Sequence, residues 1–221
     1  MINVYLDLDG VMVDFNAKIV EMFGKSYEDL DRNELWSKLG TVDHLYLNLD
    51  PMPNYLTLFN YLKAKQDKGL INLEILTSLP YSTNKLVTSK QDKIAWVKKY
   101  LDPDIKVNTV VGGVKKAKYV KNSTDILIDD TDKNITAWNN AGGRGILFKN
   151  NADTISTIDK LLSTRDWCEA EKFLVTAQSL RFNSFSSSSP LMKTTLIGFS
   201  ARNWSNKIAP AAADAAIWIA I

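Results

Sequence analysis

The sequence predicts an α/β fold with three layers, in which a parallel sheet is covered by helices on both faces. Short apolar runs of strand length recur along the chain, helical patterns separate them, and polar clusters end several of the runs. Parallel strands need long crossover connections, which are usually helices. This alternation therefore favours a single parallel sheet.

Each of the five predicted strands is a short apolar stretch that is bounded by polar or glycine residues. They are residues 2–8, 72–76, 106–111, 125–128 and 144–148. Three further segments have apolar residues at helical spacing and are predicted helices of the core. They are residues 85–100, 132–141 and 154–162.

The interval 15–68 breaks this alternation. It contains helical stretches at residues 17–23, 27–39 and 56–65 and no convincing strand, so we interpret it as a small helical cap inserted after the first strand. The predicted core then comprises residues 1–14 and 69–165. Residues 166–221 include a serine-rich and an alanine-rich stretch and are predicted to be a C-terminal appendage.

The composition restricts both chemistry and partners. The chain has 27 basic and 25 acidic residues, a net charge of +2, so no strong field favours a nucleic acid polymer. His44 is the only histidine and Cys168 the only cysteine. This excludes a two-histidine zinc site and an internal disulfide, so we expect catalysis to depend on carboxylates and lysines.

The ends of the sequence carry no pattern of a signal peptide or a membrane span. The apolar segment 208–221 is too short to cross a bilayer, and the first strand begins without a basic leader. With a single cysteine, these features predict a cytoplasmic protein that is not bound to a membrane.

Acidic and hydroxyl side chains follow three predicted strands at the point where each ends. They are Asp7 and Asp9, Thr77 and Ser78, and Asp129 and Asp130. Ligands bind beyond the carboxyl ends of the strands in an open parallel sheet, so we expect these side chains to share one crevice. Four carboxylates repel each other and need a cation. Hard oxygen ligands suit Mg²⁺, which keeps waters available for a phosphate substrate.

Three segments resemble the motifs of a known superfamily. Residues 7–11 (Asp-Leu-Asp-Gly-Val), 75–78 (Ile-Leu-Thr-Ser) and 126–130 (Ile-Leu-Ile-Asp-Asp) are similar, in order and spacing, to those of the haloacid dehalogenase (HAD) phosphotransferases. Residues 45–62 and 125–145 resemble its 5′(3′)-deoxyribonucleotidase branch and the phage and bacterial relatives of that branch. The resemblance covers residues 1–165. It implies a Rossmann-like sheet with a helical cap.

The resemblance also implies a catalytic role for individual residues. Asp7 is expected to attack phosphorus and form an aspartyl-phosphate, and Asp9 to act as general acid and then as general base. Thr77 and Ser78 are expected to hydrogen-bond the phosphoryl oxygens.

A magnesium site and a lysine complete the implied centre. Asp129 is expected to bind Mg²⁺ with Asp7 and the backbone carbonyl of Asp9, and Asp130 to assist. The superfamily also places a lysine between its second and last motifs. Comparison with related sequences favours Lys116 for this role over the alternatives, of which Lys118 is the nearest; the full set is Lys115, Lys116, Lys118 and Lys121.

The predicted cap is expected to exclude water and to contact the substrate. Aromatic and polar residues of the cap are candidates for a wall against a base or sugar: Phe15, Trp36, His44, Tyr46 and Asn48. The aromatic members are equally compatible with a small cap core. A catalytic role for His44 is not expected, because the carboxylates already supply an acid and a base.

These features predict a magnesium-dependent phosphatase, specifically a 5′-nucleotidase of (deoxy)ribonucleoside monophosphates. A bacterial or phage source and a homodimer are compatible with that prediction. Two alternatives stay open: a phosphatase of another small phosphorylated metabolite, and a non-catalytic binding protein with the same fold. Metal-dependent glycosyltransferases also use Asp-x-Asp, but that class of enzyme does not account for the second acidic pair, Asp129 and Asp130.

Overall fold

The computed structural model describes residues 1–81 and 86–163, so the predicted appendage at 166–221 lies outside the described residues. Within them, five strands form one sheet in which every neighbouring pair is parallel. They are β1 (Ile2–Leu6), β2 (Ile71–Leu79), β3 (Val107–Val111), β4 (Ile126–Asp129) and β5 (Arg144–Leu147). The predicted parallel sheet is therefore confirmed.

Helices occupy most of the connections. The α-helices are α1 (Phe15–Phe23), α2 (Arg32–Leu39), α3 (Tyr55–Asp67), α4 (Ser89–Tyr100), α5 (Asp132–Asn140) and α6 (151–163). Shorter 3-10 helices are Tyr27–Asp29, Leu45–Asn48 and Gly113–Tyr119. The last two were not predicted, because one or two turns give too few residues for a helical period to be recognised.

The predicted helix at residues 27–39 is divided into a 3-10 turn and α2. The Asp31 side chain causes this division, since it accepts hydrogen bonds from the backbone amides of Asn33 (2.9 Å) and Glu34 (3.0 Å). An aspartate in extended backbone that binds these amides begins a new helix. Asp14 does the same for α1 through the amide of Ala17, at 2.8 Å.

The strand order β3-β2-β1-β4-β5 puts β1 at the centre of the sheet. Successive side chains of a strand point to opposite faces. Val4 accordingly joins a large core cluster with Trp96 of α4 and Ile158 of α6, whereas Tyr5 joins a second cluster with Trp138 of α5. Both faces of the sheet are thus covered by helices, which gives the three predicted layers.

This order also creates a topological switch point. From β1 the chain forms β2 and β3 on one side, and it then returns to form β4 and β5 on the other. The connections therefore leave β1 and β4 in opposite directions and open a crevice at their carboxyl ends. The site described below lies in that crevice.

The helix α3 lies on the sheet. It contacts β2, and its buried residues Leu58, Phe59 and Leu62 belong to the large core cluster. We therefore assign α3 to the helical layer of the core, and we propose that the inserted cap is shorter than residues 15–68 and ends before Tyr55.

Candidate active site

Asp7 follows β1 directly and lies at the switch point. Its backbone amide donates to the carbonyl oxygen of Ile128 at 3.0 Å, so the pairing of β1 with β4 continues to this residue. Only 4% of Asp7 is exposed. The amide of Leu8 donates to Asp7 Oδ1 at 2.8 Å, which holds the carboxylate at the strand end.

A buried lysine joins the carboxylates of the two central strands. Lys116 belongs to the 3-10 helix Gly113–Tyr119, and none of its surface is exposed. Its Nζ lies 2.7 Å from Asp7 Oδ1 and 2.6 Å from Asp129 Oδ2. One ammonium thus faces two carboxylates, so the group of three carries a net negative charge when both carboxylates are ionised.

Asp129, the last residue of β4, is fully buried and bound from several directions. The amide of Thr131 donates to its Oδ1 at 2.9 Å. The side-chain amide of Asn134, in the first turn of α5, donates to Oδ1 at 3.0 Å and lies 3.1 Å from Oδ2. These bonds replace the water that a buried carboxylate loses.

Burial and neighbouring charges shift the pKa values of Asp7 and Lys116. Burial raises the pKa of the Asp7 carboxyl well above its usual range; Lys116 opposes the shift, and Asp129 adds to it. Burial alone would lower the pKa of Lys116, but the charges of Asp7 and Asp129 raise it above its ordinary value. An additional cation would favour the ionised carboxylates.

Asp130 and Gly10 approach each other closely. Gly10 has a φ of +76°, and a Cβ atom at this position would lie 2.0 Å from Asp130 Oδ2. A glycine is needed here both for the left-handed backbone and for this approach. Asp130 is exposed as a residue, but loss of hydration around its carboxyl group, with the neighbouring charge of Asp129, raises its pKa to about 6.

The carboxylates form a set that suits a divalent cation. One oxygen atom each of Asp7, Asp129 and Asp130 lies within 4.8 Å of the others. Oxygen donors with excess negative charge are the ligands that Mg²⁺ and Ca²⁺ prefer. The residues present therefore fit the implied metal. The side chain of Asp9 is not part of this set.

Asp9 instead contacts a second buried lysine. Lys93 of α4 is 1% exposed, and its Nζ donates to Asp9 Oδ2 and, at 3.0 Å, to Thr77 Oγ1. The same Nζ lies 4.3 Å from the centre of the Tyr46 ring, a cation–π distance. Thr77, on β2, is fully buried, and Ser78 follows it at the half-buried end of the strand.

The candidate substrate residues of the cap differ in position. The rings of Phe15 and Tyr46 are stacked, with centroids 6.0 Å apart and an angle of 11° between them. Tyr46 is 4% exposed, and Trp36 is half-buried against the large core cluster. His44 and Asn48 are exposed. The structure thus brings Tyr46 to the site through Lys93, and substrate contact by these residues stays a prediction.

Four lysines were candidates from the sequence: Lys115, Lys116, Lys118 and Lys121. Of these, Lys116 is the one that contacts carboxylates of the site. Lys118 is exposed. Two functional candidates were missed by sequence reasoning, Lys93 and Asn134. Lys93 shares a helix face with Trp96 and Val97, so a lysine on an apolar face was the available signal.

The parallel sheet and its switch point, with carboxylates at the ends of β1 and β4 and a buried lysine between them, define a phosphatase of the haloacid dehalogenase superfamily. The family model described as 5′ nucleotidase, deoxy (pyrimidine), cytosolic type C protein (NT5C) matches residues 1–180. The chain belongs to this family. The resemblance inferred from the three motifs is therefore confirmed.

Comparisons with solved structures find proteins of low identity. A hydrolase from Streptococcus pneumoniae TIGR4 is 11% identical, with a TM-score of 0.37, over 71% of this chain and 97% of its own. A HAD family enzyme from Bacteroides thetaiotaomicron, in complex with magnesium and inorganic phosphate, is 15% identical, with a TM-score of 0.41. That match covers 67% of this chain and 94% of the enzyme. No curated protein gives a significant match. No helix of the described residues has the length and apolar character needed to cross a membrane.

Proposed function

We propose that this protein is a magnesium-dependent 5′-nucleotidase that hydrolyses (deoxy)ribonucleoside monophosphates through an aspartyl-phosphate on Asp7. The observation that carries the proposal is the position of Asp7: it is buried at the switch point, with Oδ1 2.7 Å from Lys116 Nζ. A carboxylate in such a place is oriented for attack, and the nearby ammonium stabilises charge on a phosphoryl group.

The reaction proceeds in two displacements. The Asp7 carboxylate attacks phosphorus, the bond from phosphorus to the ester oxygen breaks, and Asp9 gives its proton to the leaving alkoxide. Asp9 then takes a proton from a water molecule that attacks the same phosphorus. The bond from phosphorus to Asp7 breaks, inorganic phosphate leaves, and both aspartates return to their first state.

The chain's other polar groups hold the phosphoryl oxygens and balance charge. Thr77 and Ser78 are proposed to donate hydrogen bonds to these oxygens, and Lys116 and Lys93 supply two buried ammonium groups. A bound Mg²⁺ would neutralise the charge that spreads over the equatorial oxygens during transfer. The residues that would hold it are Asp7, Asp129 and Asp130, with the backbone carbonyl of Asp9.

The proposed substrate class follows from the family, whose description names a deoxy (pyrimidine) 5′ nucleotidase. Phe15 and Tyr46 provide aromatic surface beside the site and are proposed to border the base or sugar. Aromatic stacking accepts any base, so it does not by itself select a pyrimidine. The cytoplasm, where nucleoside monophosphates occur and a lone Cys168 stays reduced, is the proposed compartment.

A phosphate-release assay with a panel of phosphorylated metabolites tests this function. We expect Mg²⁺-dependent release from nucleoside 5′-monophosphates, abolition by chelation, and no activity in the Asp7→Asn variant. Release from sugar phosphates alone would replace the nucleotidase by a phosphatase of another metabolite. No release from any ester by a folded protein would refute an enzymatic function. Unchanged activity of Asp7→Asn would refute the nucleophile.

A further inference from the structure

His44 is a polar residue of the insertion that the proposed reaction does not use. It precedes the 3-10 helix Leu45–Asn48 and has a φ of 49°, in the left-handed region. Residues other than glycine adopt this backbone rarely, and neighbouring contacts must hold them there. The contacts of the His44 side chain are therefore informative.

The imidazole of His44 reaches α4, a helix of the core. Its Nδ1 lies 2.8 Å from Asp92 Oδ1, and 57% of the His44 side chain is exposed against 3% for Asp92. Thr88 Oγ1 donates to the other carboxylate oxygen of Asp92 at 2.8 Å. A buried carboxylate needs such partners, so the bond from His44 helps to stabilise the buried charge of Asp92 on α4.

Two more contacts join the same two segments. The ring of Tyr46 lies beneath Lys93 Nζ, and Trp96 Nε1 donates to the carbonyl oxygen of Leu49 at 2.8 Å. Residues 44–49 thus contact α4 at three of its positions, namely Asp92, Lys93 and Trp96. Lys93 is the middle one, and its Nζ binds Asp9 and Thr77.

We propose that His44 and Asp92 are positioning residues that hold Lys93 against Asp9 and Thr77. The bond from His44 to Asp92 fixes the first turns of α4 relative to residues 44–49. A lysine side chain has four rotatable bonds, and its ammonium is useful to catalysis only when the backbone that carries it is fixed. The inference rests on the proposed function, because Lys93 matters through the reaction at Asp9.

The pair also makes this positioning dependent on pH. The charged groups that face His44 in the described part of the chain are Asp92 of α4 and Asp43 of its own segment. The hydrogen bond with Asp92, and the charges of Asp92 and Asp43, raise the pKa of His44 above its ordinary value of 6.5, against the effect of burial. A raised histidine pKa means that the stabilisation is complete below the unfolded-state value and is lost as pH rises through the folded-state value.

Two substitutions of His44 separate a positioning role from a merely structural one. We expect His44→Ala to lower kcat about tenfold, the loss that follows removal of one charged hydrogen bond. His44→Asn keeps a donor near Asp92, tolerates left-handed backbone and does not titrate. We expect it to recover most of the activity and to remove the His44 component from the alkaline limb of the pH profile of kcat.

A double-mutant cycle tests whether His44 acts through Lys93. If it does, His44→Ala will have no further effect on the residual activity of a Lys93→Ala variant, because the group it positions is gone. If the losses of activity in the two single variants instead multiply in the double variant, the proposal is overturned. Because the chain has a single histidine, its one imidazole resonance reports the pKa of His44 directly. That pKa should fall towards its ordinary value in Asp92→Asn, where the charge of Asp43 is the one that still raises it.

The matched control is Ser26→Ala, which removes a hydrogen bond of 2.7 Å from Ser26 Oγ to Asp29 Oδ2, a contact between two residues of the insertion. It should retain kcat. An active wild type whose kcat is unchanged within about twofold by His44→Ala would overturn the positioning role alone. A loss of thermal stability without a change in kcat of the folded protein would overturn it too. Absence of hydrolysis by the wild type would refute the proposed function together with this inference.

Discussion

Lys116 Nζ lies 2.7 Å from Asp7 Oδ1, and the side chains of the two residues are 0% and 6% exposed. The pair is therefore an ion pair taken out of water, and Lys116 also serves Asp129. Such a group is costly to disturb, because loss of one partner leaves the other charges buried.

Lys116→Met should consequently destabilise the protein and abolish phosphatase activity. The two carboxylates lose their shared ammonium, so the free energy of unfolding should fall by about 3–5 kcal/mol. Chemical denaturation in the absence of divalent cations measures this change. Lys118→Met, a change of the same type at an exposed position of the same 3-10 helix, is the control and should stay within about 0.5 kcal/mol of wild type. Equal stability of the two variants would contradict the buried pair.

Gly10→Ala should lose both activity and cation binding. The new methyl group would meet Asp130 Oδ2 at 2.0 Å and displace the carboxylate, in addition to the cost of a left-handed alanine. Gly24→Ala is the matched control, since Gly24 has a φ of +67° and a Cβ atom added there would have no neighbour within 4 Å. It should cost roughly 1–2 kcal/mol of stability and leave the concentration of Mg²⁺ for half-maximal activity unchanged. An unchanged Mg²⁺ requirement in Gly10→Ala would argue against Asp130 as a ligand.

Asp130→Asn should stabilise the cation-free protein in a manner that depends on pH. The pKa of Asp130 is raised to about 6 in the folded protein. The protonated side chain therefore makes its full contribution to the free energy of unfolding below the unfolded-state pKa of about 3.9, and this contribution is lost as pH rises through about 6. The difference in Tm between variant and wild type should therefore grow between about pH 4 and pH 6 and then stay constant.

Addition of Mg²⁺ near neutral pH should raise the Tm of the wild type more than that of Asp130→Asn, because the variant lacks one ligand. Asp67→Asn, at an exposed position, is the control. Its gain in Tm on addition of Mg²⁺ should equal that of the wild type, because Asp67 lies outside the proposed set of ligands. A constant difference for Asp130→Asn across the whole range would contradict the raised pKa.

Lys93→Met should lower kcat by about two orders of magnitude, the loss typical for removal of a fixed charged donor. Lys90→Met, on an exposed position of the same helix, should leave kcat unchanged. The comparison is made by steady-state kinetics at saturating Mg²⁺. Equal kcat values in the two variants would exclude Lys93 from the reaction.

The sheet and its acidic ends were predictable because they follow from local rules. Buried strands are short apolar runs, and residues just past the carboxyl ends of parallel strands meet in space. Asp7 and Asp129 obey both rules, and so the structure brings them to one lysine. The prediction needed no knowledge of side-chain contacts.

The lysines could not be assigned by such rules. Lys116 and Lys118 lie in one 3-10 helix, and which of them points inward depends on the exact turn taken after β3. Lys93 lies on a regular helix, but a long cationic side chain usually reaches solvent from an apolar face. Only the burial of Lys93 beside Asp9 and Thr77 distinguishes it from an ordinary surface lysine.

The central position of β1 has a consequence for how the protein becomes active during synthesis. Val4 pairs with both Leu73 and Ile126, so β1 is synthesised before both of its neighbours, and its pairing is complete only after β4 has been made. Contacts between such distant residues form slowly, because long loops must close first. Recovery of hydrolysis in a refolding experiment should therefore follow the completed pairing of β1 with β4, and a nascent chain that stops before residue 126 should be inactive.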